Sequence, residues 1–237
     1  MTVDRTPLLD ALGVDLPDDL LTIALTHRSY AYENGGLPTN ERLEFLGDAV
    51  LGLVITAEIF DRYPQRSEGE LAKLKSAVVN TQALAEIARN LTPDGLGSYL
   101  LLGRGEMASG GAQKASLLAD GLESLLGATY IRYGHEVART VVLGLFEPVL
   151  QTAADLGAGL DWKTSLQELS AARRLGVPSY SVTSTGPEHD KQFTARAMVD
   201  GVDHGTGVGR TKKEAEQQAA AAAYAVLQAA DPDTADA

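Results

Sequence analysis

Residues 40–52 read Asn40-Glu41-Arg42-Leu43-Glu44-Phe45-Leu46-Gly47-Asp48-Ala49-Val50-Leu51-Gly52, and this stretch decides the fold of the first part of the chain. Apolar residues recur at helical spacing and predict a buried helix; they are Leu43, Leu46, Val50, Leu53 and Val54. Glu41, Glu44 and Asp48 step by three and then four residues, which places three carboxylates on one helical face. Like charges at this spacing repel, and no Lys lies nearby in the sequence. The pattern therefore favours a hard divalent metal ion as the neutralising cation.

A second apolar helix, predicted over residues 116–127, carries Asp120 and Glu123 three residues apart. Two helices that each offer a pair of inward carboxylates could hold one or two Mg²⁺ or Mn²⁺ ions between them. Such ions act as Lewis acids and as a source of hydroxide in phosphodiester hydrolysis.

The bulk composition bounds the class of protein. With 237 residues and 44% hydrophobic content, the chain can form one large domain or two ordinary ones. It has no Cys, which excludes disulfides, thiolate zinc sites and cysteine catalysis. The sequence shows no apolar run long enough to span a bilayer and no signal pattern at its N-terminus. We therefore expect a soluble, cytoplasmic protein without a membrane partner.

The net charge of −12 is unevenly distributed. Residues 1–160 carry 12 Lys and Arg against 21 Asp and Glu, whereas residues 161–229 carry 8 of each kind. The acidity therefore lies mostly with the carboxylate helices, and the C-terminal segment contains a local basic cluster.

The pattern of elements changes after an Ala- and Gly-rich stretch that begins at Ala153. We predict an all-α domain over residues 1–153, a flexible linker over 154–160, an α+β domain over 161–229 and a disordered tail over 230–237. The α+β domain is predicted to run from a helix over 162–175 through three strands to a final helix starting near Thr211, in the order α-β-β-β-α.

Several local signals complete this picture. Asn40 is expected to cap the central helix, and Ser67 with Glu70 forms a capping box for the next one. The polar patch Thr26-His27-Arg28-Ser29-Tyr30 is interpreted as helix-end capping and packing. The Gly-rich stretch over residues 103–111 is not a phosphate-binding P-loop, because no Gly-Lys-Ser/Thr follows it.

Lys212 and Lys213 begin the final helix, where the free backbone N–H groups already favour an anion. Lysine is disfavoured at that end of a helix, so the pair alone indicates either a phosphate ligand or a solvated helix start. With this Lys pair, the α-β-β-β-α order over about 160–229 resembles a double-stranded RNA-binding domain.

That resemblance implies contacts to two minor grooves and to the intervening phosphates of double-stranded RNA. One position departs from the family pattern, since Glu216 stands where a basic residue is common. The matching RNA-binding positions are Gln167 and Glu168 on the first helix, His189 at the tip of the loop over 186–189, and Lys212, Lys213 and Gln217 on the last helix.

The two acidic stretches, residues 40–48 and 118–123, resemble the motifs of ribonuclease III. A helical nuclease domain followed by one RNA-binding domain is the bacterial layout of that family. The resemblance implies a homodimeric endoribonuclease that cuts each strand of an RNA duplex and leaves 5′-phosphate and 3′-hydroxyl ends with short 3′ overhangs. It also implies processing of ribosomal RNA precursors and other structured transcripts, including messenger and transfer RNA.

The same resemblance assigns roles to individual residues. Phe45 matches an aromatic residue that inserts into the partner subunit at the dimer seam. Glu41 and Glu68 match auxiliary acids near the seam and the bound RNA. The catalytic, metal-binding set is Glu44, Asp48, Asp120 and Glu123, with Mg²⁺ as the cofactor and Mn²⁺ as its substitute.

Other functions remain open at this point. The chain could be a non-catalytic double-stranded RNA-binding protein whose nuclease site has decayed, although all four acids are present. A di-iron helical protein is disfavoured because no Glu-x-x-His pair occurs, and a Ser-His-Asp hydrolase is disfavoured because there is no Gly-x-Ser-x-Gly motif.

Overall fold

The fold is described from a computed structural model, which describes residues 3–155, 161–187 and 191–229. The chain divides into two compact units, Met1–Ala158 and Gly159–Ala237. Most of the predicted linker and the whole predicted tail lie outside the described residues. Within the described part, no helix is both long and apolar enough to cross a membrane.

The first unit is helical, as the sequence predicts. The described part of this unit contains no β-ladder, only an isolated bridge between Thr26 and Leu101. Short 3-10 turns at Leu96–Ser98 and Gly111–Gln113 interrupt the Gly-rich region. The helices are α1 (Thr6–Leu12), α2 (Asp18–Leu25), α3 (Arg28–Glu33), α4 (Glu41–Arg62), α5 (Glu68–Val78), α6 (Thr81–Asn90), α7 (Arg104–Ala108), α8 (Ala115–Tyr133) and α9 (His135–Asp155).

Helices α4 and α8 form the centre of this unit, and α2, α5, α6 and α9 pack around them. The side chains that α4 buries are listed here: Leu43, Val50, Leu51, Val54, Ile55 and Ile59. The prediction that Leu53 belongs to this stripe is wrong, because its side chain is 59% exposed. Leu53 is two residues from both Leu51 and Ile55, which are fully buried, so its side chain points about 160° away from theirs around the helix axis.

The predicted helix starts differ in how they are capped. Ser67 and Glu70 form the expected capping box, with the Ser67 side chain accepting from the Glu70 backbone N–H and the Glu70 side chain accepting from that of Ser67. Asn40 occupies the N-cap position of α4, but its side chain makes no capping hydrogen bond, so that prediction is wrong. Asn40 is instead buried, and its backbone N–H donates to the carbonyl of Thr26 at 2.9 Å.

An ion-pair network holds the far end of α4 against α9. Arg62 contacts Glu58 at 2.7 Å and Glu147 at 2.8 Å, and Arg139 contacts Glu58 at 2.8 Å. The hydrogen bonds that Arg62 donates to Glu147 and Glu58 raise the pKa of its guanidinium. These ion pairs fix the C-terminal end of α4. The acids of interest, Glu41, Glu44 and Asp48, lie in its N-terminal half.

The second unit has the predicted α-β-β-β-α order. Its sheet is antiparallel with strand order β1-β2-β3. The first helix ends three residues before the predicted Leu175, because Arg174 and Gly176 adopt positive φ angles. The elements are α10 (Trp162–Ala172), β1 (Ser179–Thr185), β2 (Gln192–Val199), β3 (Val202–Gly209) and α11 (Lys212–Ala229).

Small residues let α11 lie directly on β3. A Cβ added at Gly207 would overlap the backbone of Ala215 and Ala219, and one added at Gly205 would overlap that of Ala219 and Ala223. Alanines on the facing side of α11 are fully buried. The Ala-rich face seen in the sequence therefore reflects a close approach of helix and strand.

We expect Gly207→Ala to destabilise the second unit by about 1–3 kcal/mol, because its Cβ would meet backbone atoms that cannot move aside. The unfolding free energy can be measured from the fluorescence of Trp162, the single Trp of the chain, whose ring packs 5.5 Å from that of Tyr224. Thr206→Ala, at the exposed neighbouring position, is the control and should change little. Equal stabilities for the two variants would contradict the close-packing account.

Candidate metal centre

Three of the four predicted metal-binding acids come together where α4 and α8 cross. Glu44, Asp120 and Glu123 each offer a carboxylate oxygen, and these atoms all lie within 4.8 Å of one another. All three side chains are partly buried. Asp48 lies one helical turn after Glu44, is exposed, and does not belong to this close group.

The close crossing of the two helices depends on two glycines. A Cβ added at Gly47 would overlap the backbone carbonyl of Glu123, and one added at Gly127 would overlap that of Leu43. The backbones are therefore in direct contact, and the side chains of Glu44 and Glu123 emerge beside the contact point. Sequence analysis missed this role of Gly47, although a glycine between two acids in the middle of a helix is a signal that could have revealed it.

The electrostatics of the group follow from burial and repulsion. Burial and the charges of Asp48, Asp120 and Glu44 together raise the pKa of Glu123 to about 7. Burial is also the main reason that the pKa values of Glu44 and Asp120 are raised. Among the charged groups, Asp48 has the largest effect on Glu123. Asp48 is thus electrostatically part of the site although it lies outside the close group.

The cation that approaches this group comes from the polar patch at residues 26–30. Arg28 lies 3.8 Å from Glu41 and is largely exposed. Its charge lowers the pKa values of Glu44 and Asp120, which opposes the effect of burial. Arg28 lies 16 residues before Glu44 in the sequence and reaches the acids through the position of α3, so the local sequence pattern does not predict this contact.

Backbone and side-chain hydrogen bonds fix the polar patch in place. His27 caps α3 by accepting from the Ser29 backbone N–H, as the capping interpretation expects. The backbone N–H of His27 donates to the carbonyl of Leu101 at 3.1 Å, and that of Gly103 donates to the Ser29 hydroxyl at 2.9 Å. The patch is therefore a scaffold that sets the position of Arg28 at the rim of the acidic group.

The chemistry of these donors suits a hard divalent cation. The close group offers carboxylate oxygens only, the ligand type that Mg²⁺ and Mn²⁺ prefer. Among the described residues, none of these three carboxylates forms a salt bridge, and burial raises the pKa of each one, so each side chain is partly desolvated without a paired cation. The described residues therefore form an acidic group that could hold a metal ion.

The remaining predicted residues of the first unit lie outside this group. Glu41 accepts a hydrogen bond from the Thr39 hydroxyl at 3.0 Å and approaches Arg28. Glu68 lies exposed in the first turn of α5. Phe45 is 81% exposed on α4, although the apolar pattern alone would place it in the core. Such exposure of a large aromatic side chain is typical of a surface that contacts a partner.

The predicted RNA-binding residues of the second unit are differently placed. Gln167 and Glu168 on α10 and Lys212 and Lys213 on α11 are exposed. Gln217 is only partly exposed, and its amide donates to Asp161 at 2.9 Å, which does not favour a phosphate contact. The last predicted contact, His189, lies outside the described residues.

Both units match known protein families. Residues 17–149 match the Ribonuclease-III-like family model, and residues 162–227 match the model of the double-stranded RNA binding motif. The acidic group lies within the first match, and the exposed lysines of α11 lie within the second.

Curated relatives cover nearly the whole chain. Ribonuclease 3 of Mycobacterium bovis is 69% identical over 98% of this chain and 96% of its own length. Ribonuclease 3 of Streptomyces coelicolor is 58% identical over 98% of this chain and 83% of its own length. A solved nuclease domain of ribonuclease III from Campylobacter jejuni, described as flexible in the region involved in dimer formation, is 40% identical. It covers 61% of this chain and 97% of its own, with a TM-score of 0.57.

We expect Gly47→Ala to lower the affinity for Mn²⁺ at least about tenfold, because separating the helix backbones pulls the ligand oxygens apart. Titration calorimetry of the purified protein measures this affinity. Gly52→Ala on the same helix is the matched control, since its Cβ meets only the Lys75 ammonium at an ordinary 3.7 Å. Similar Mn²⁺ affinities for the two variants would refute the role given to the glycine contact.

We also expect Glu123→Gln to stabilise the metal-free protein at pH 8 but not below pH 4.5. A carboxyl whose pKa is raised in the folded state favours folding less once it ionises, so the difference grows between pH 4.5 and about 7. After discounting for solvent screening, the gain at pH 8 is about 1–2 kcal/mol. Urea unfolding in EDTA at both pH values measures it, with the exposed Glu86→Gln on α6 as the control. A gain that is independent of pH would contradict the burial of this charge.

Proposed function

The chain belongs to the ribonuclease III family, and we propose that it hydrolyses double-stranded RNA at the carboxylate group between α4 and α8. The observation that carries the proposal is the meeting of Glu44, Asp120 and Glu123 within 4.8 Å. The second unit, with its match to the double-stranded RNA binding motif, supplies the affinity for the duplex.

In this proposal the metal site consists of Glu44, Asp48, Asp120 and Glu123. The ion is Mg²⁺, with Mn²⁺ as a substitute, because the donors are oxygen atoms. When bound, it supplies Lewis-acid stabilisation of the phosphate and a hydroxide at neutral pH. Asp48, which is exposed, is the acid with most freedom to turn toward an ion that the other three hold.

The protein's own residues prepare this site in two ways. Holding three partly buried carboxylates at short range creates a negative charge that a divalent cation relieves, and this favours binding of the ion over binding of protons above about pH 7. Arg28 keeps a guanidinium at the rim, where the acids would otherwise repel the phosphates of an approaching duplex.

Duplex RNA is bound by the second unit through the start of α11. Lys212 and Lys213 are exposed there, and the backbone N–H groups of the first turn add to their positive potential. Gln167 and Glu168 lie exposed on α10, where the resemblance expects a minor-groove contact. Phosphate contacts of this kind weaken as salt concentration rises.

A homodimer lets one enzyme cut both strands. Phe45 is 81% exposed on the helix that carries Glu44, which supports its assignment to the dimer seam. The dimer formation described for the Campylobacter jejuni nuclease domain supports the same assembly. Glu41 and Glu68, both exposed, are the proposed auxiliary acids near that seam and the RNA.

The remaining expectations follow the family. We propose products with 5′-phosphate and 3′-hydroxyl ends and short 3′ overhangs, from ribosomal RNA precursors and other structured transcripts. A cytoplasmic location is proposed because bacterial transcripts are made and processed there. We also propose a nuclease domain over residues 1–153, a linker over 154–160, an RNA-binding domain over 161–229 and a tail over 230–237.

A non-catalytic RNA-binding protein is the competing function. It would have no need to keep mutually repelling carboxylates in a partly buried group, where they lower the stability of the fold. The intact acids therefore favour the enzyme.

We expect Asp48→Ala or Glu123→Ala to lower the cleavage rate of duplex RNA in Mg²⁺ at least about a hundredfold, because each removes a ligand charge from the ion. Both variants should bind the same duplex with unchanged affinity in EDTA. Gel analysis of a labelled 30-base-pair duplex measures cleavage, and fluorescence anisotropy measures binding. Intact RNA after incubation with the unmodified chain would overturn the enzymatic proposal, and a parallel loss of binding would overturn the separation of the two roles.

A further inference from the structure

An acid on the RNA-binding face of α11 calls for an explanation. Glu216 follows Lys212 by four residues and Lys213 by three, so all three lie on neighbouring positions of the helix surface. A free carboxylate at this position would pair with the lysines and repel phosphate. Either effect would weaken the anion site at the start of the helix.

The structure gives Glu216 a different partner. The Lys163 ammonium, on the first turn of α10, lies 2.7 Å from the Glu216 carboxylate. The side chains of Lys163 and Glu216 are 38% and 25% exposed, so the pair is partly shielded from water. Among the described residues, neither Lys212 nor Lys213 forms a salt bridge.

Lys163 is itself held in position by a contact with Tyr180 on β1. Its ammonium lies 4.6 Å from the centre of the Tyr180 ring, a cation–π contact that fixes the side chain between β1 and α11. The neighbouring pair, Asp161 and Gln217, joins the same two helices through a hydrogen bond of 2.9 Å. The ammonium is thereby directed at Glu216 and not outward to solvent.

Among the described residues, Lys163 is the cation that forms a salt bridge with Glu216. The Gln217 carbonyl oxygen is buried without a partner among the described residues, and so is the Tyr180 hydroxyl. Burial, with a smaller effect from the charges of Glu216 and Asp161, raises the pKa of Tyr180 to about 12. Without Lys163, the Glu216 carboxylate would lose this partner and would be free to pair with Lys212 and Lys213 or to repel phosphate.

We propose that Lys163 is a positioning residue for RNA binding: it neutralises Glu216 and so leaves Lys212 and Lys213 free to bind the phosphates of the duplex. The inference rests on the proposed function of the second unit. It assigns to a residue on α10 the task of balancing the charge on α11, and it explains how the unit accommodates an acid where the family commonly has a base.

This role differs from a direct phosphate contact. A residue that contacts phosphate contributes the same affinity whatever stands at position 216. A residue that neutralises Glu216 contributes only while Glu216 carries its charge. A double-mutant cycle on these two positions therefore separates the two roles.

The experiment measures binding of a labelled 30-base-pair RNA duplex to the full-length chain by fluorescence anisotropy, in EDTA and about 0.15 M salt. We expect Lys163→Met to weaken binding about three- to tenfold, because an uncompensated charge then faces the phosphates. Lys163→Met combined with Glu216→Gln should bind within about twofold of Glu216→Gln alone. Lys163→Arg, which keeps the charge, should bind like the unmodified chain.

A matched control removes the same charge elsewhere on the unit. Arg196 pairs with Asp203 at 3.8 Å and is exposed on β2. Its neighbours Ala195 and Ala197 are buried under the helices, so Arg196 points from the opposite face of the sheet. Arg196→Met should weaken binding by less than about twofold. If Arg196→Met weakened binding as much as Lys163→Met, the loss would come from the change in net charge alone, and the proposal would be overturned.

Two further outcomes decide the matter. An equal loss from Lys163→Met with and without Glu216→Gln would show a direct contact and overturn the proposal. Glu216→Gln alone should bind the duplex as tightly as the unmodified chain or more tightly, and weaker binding by this variant, with Trp162 fluorescence unchanged, would also overturn it. Failure of the proposed RNA-binding function can be told apart from failure of the Lys163 proposal. If the second unit did not bind duplex RNA, the unmodified chain would show no binding at all.

Discussion

The backbone contact between α4 and α8 at Gly47 and Gly127 is the constraint on which the rest of the first unit depends. It brings two long helices so close together that the carboxylates of Glu44 on α4 and Glu123 on α8 lie within reach of one cation. The other features serve this contact: the buried apolar face of α4 holds the helices together, and the Arg62 ion pairs fix the far end. A helix pair spaced by ordinary side chains, at about 8–10 Å between axes, would keep the acids farther apart.

The contact brings together groups that repel one another, and the protein accepts this loss of stability. Glu123 has a pKa of about 7 because burial and three neighbouring acids disfavour its charge. The core that surrounds the site is extensive enough to offset the loss. The second unit handles a similar problem in another way, since it pairs Glu216 with a lysine from a different helix. One unit leaves its negative charge for a ligand to balance, and the other balances it internally.

Local pattern was sufficient to predict much of this structure. The 3.6-residue periodicity indicated the helices, the Ser67–Glu70 pair indicated a helix start, and the change to alternating strands indicated the α-β-β-β-α unit. The failures concern contacts between residues far apart in sequence. Arg28 reaches the acids only because hydrogen bonds to residues 101 and 103 position α3, and Lys163 meets Glu216 across 53 residues. Periodicity also cannot tell whether an apolar residue such as Phe45 or Leu53 faces the core or the solvent.

The glycine crossing has a consequence for how the chain can change over evolutionary time. A clash between two side chains can be relieved by substituting a smaller residue at either position, so such positions can change together. At residue 47 the obstacle is the carbonyl of Glu123, and at residue 127 it is that of Leu43. No second substitution can shorten a main chain. A substitution at either glycine therefore cannot be compensated by a change in the side chain that faces it, and any lineage that keeps this geometry must keep both glycines.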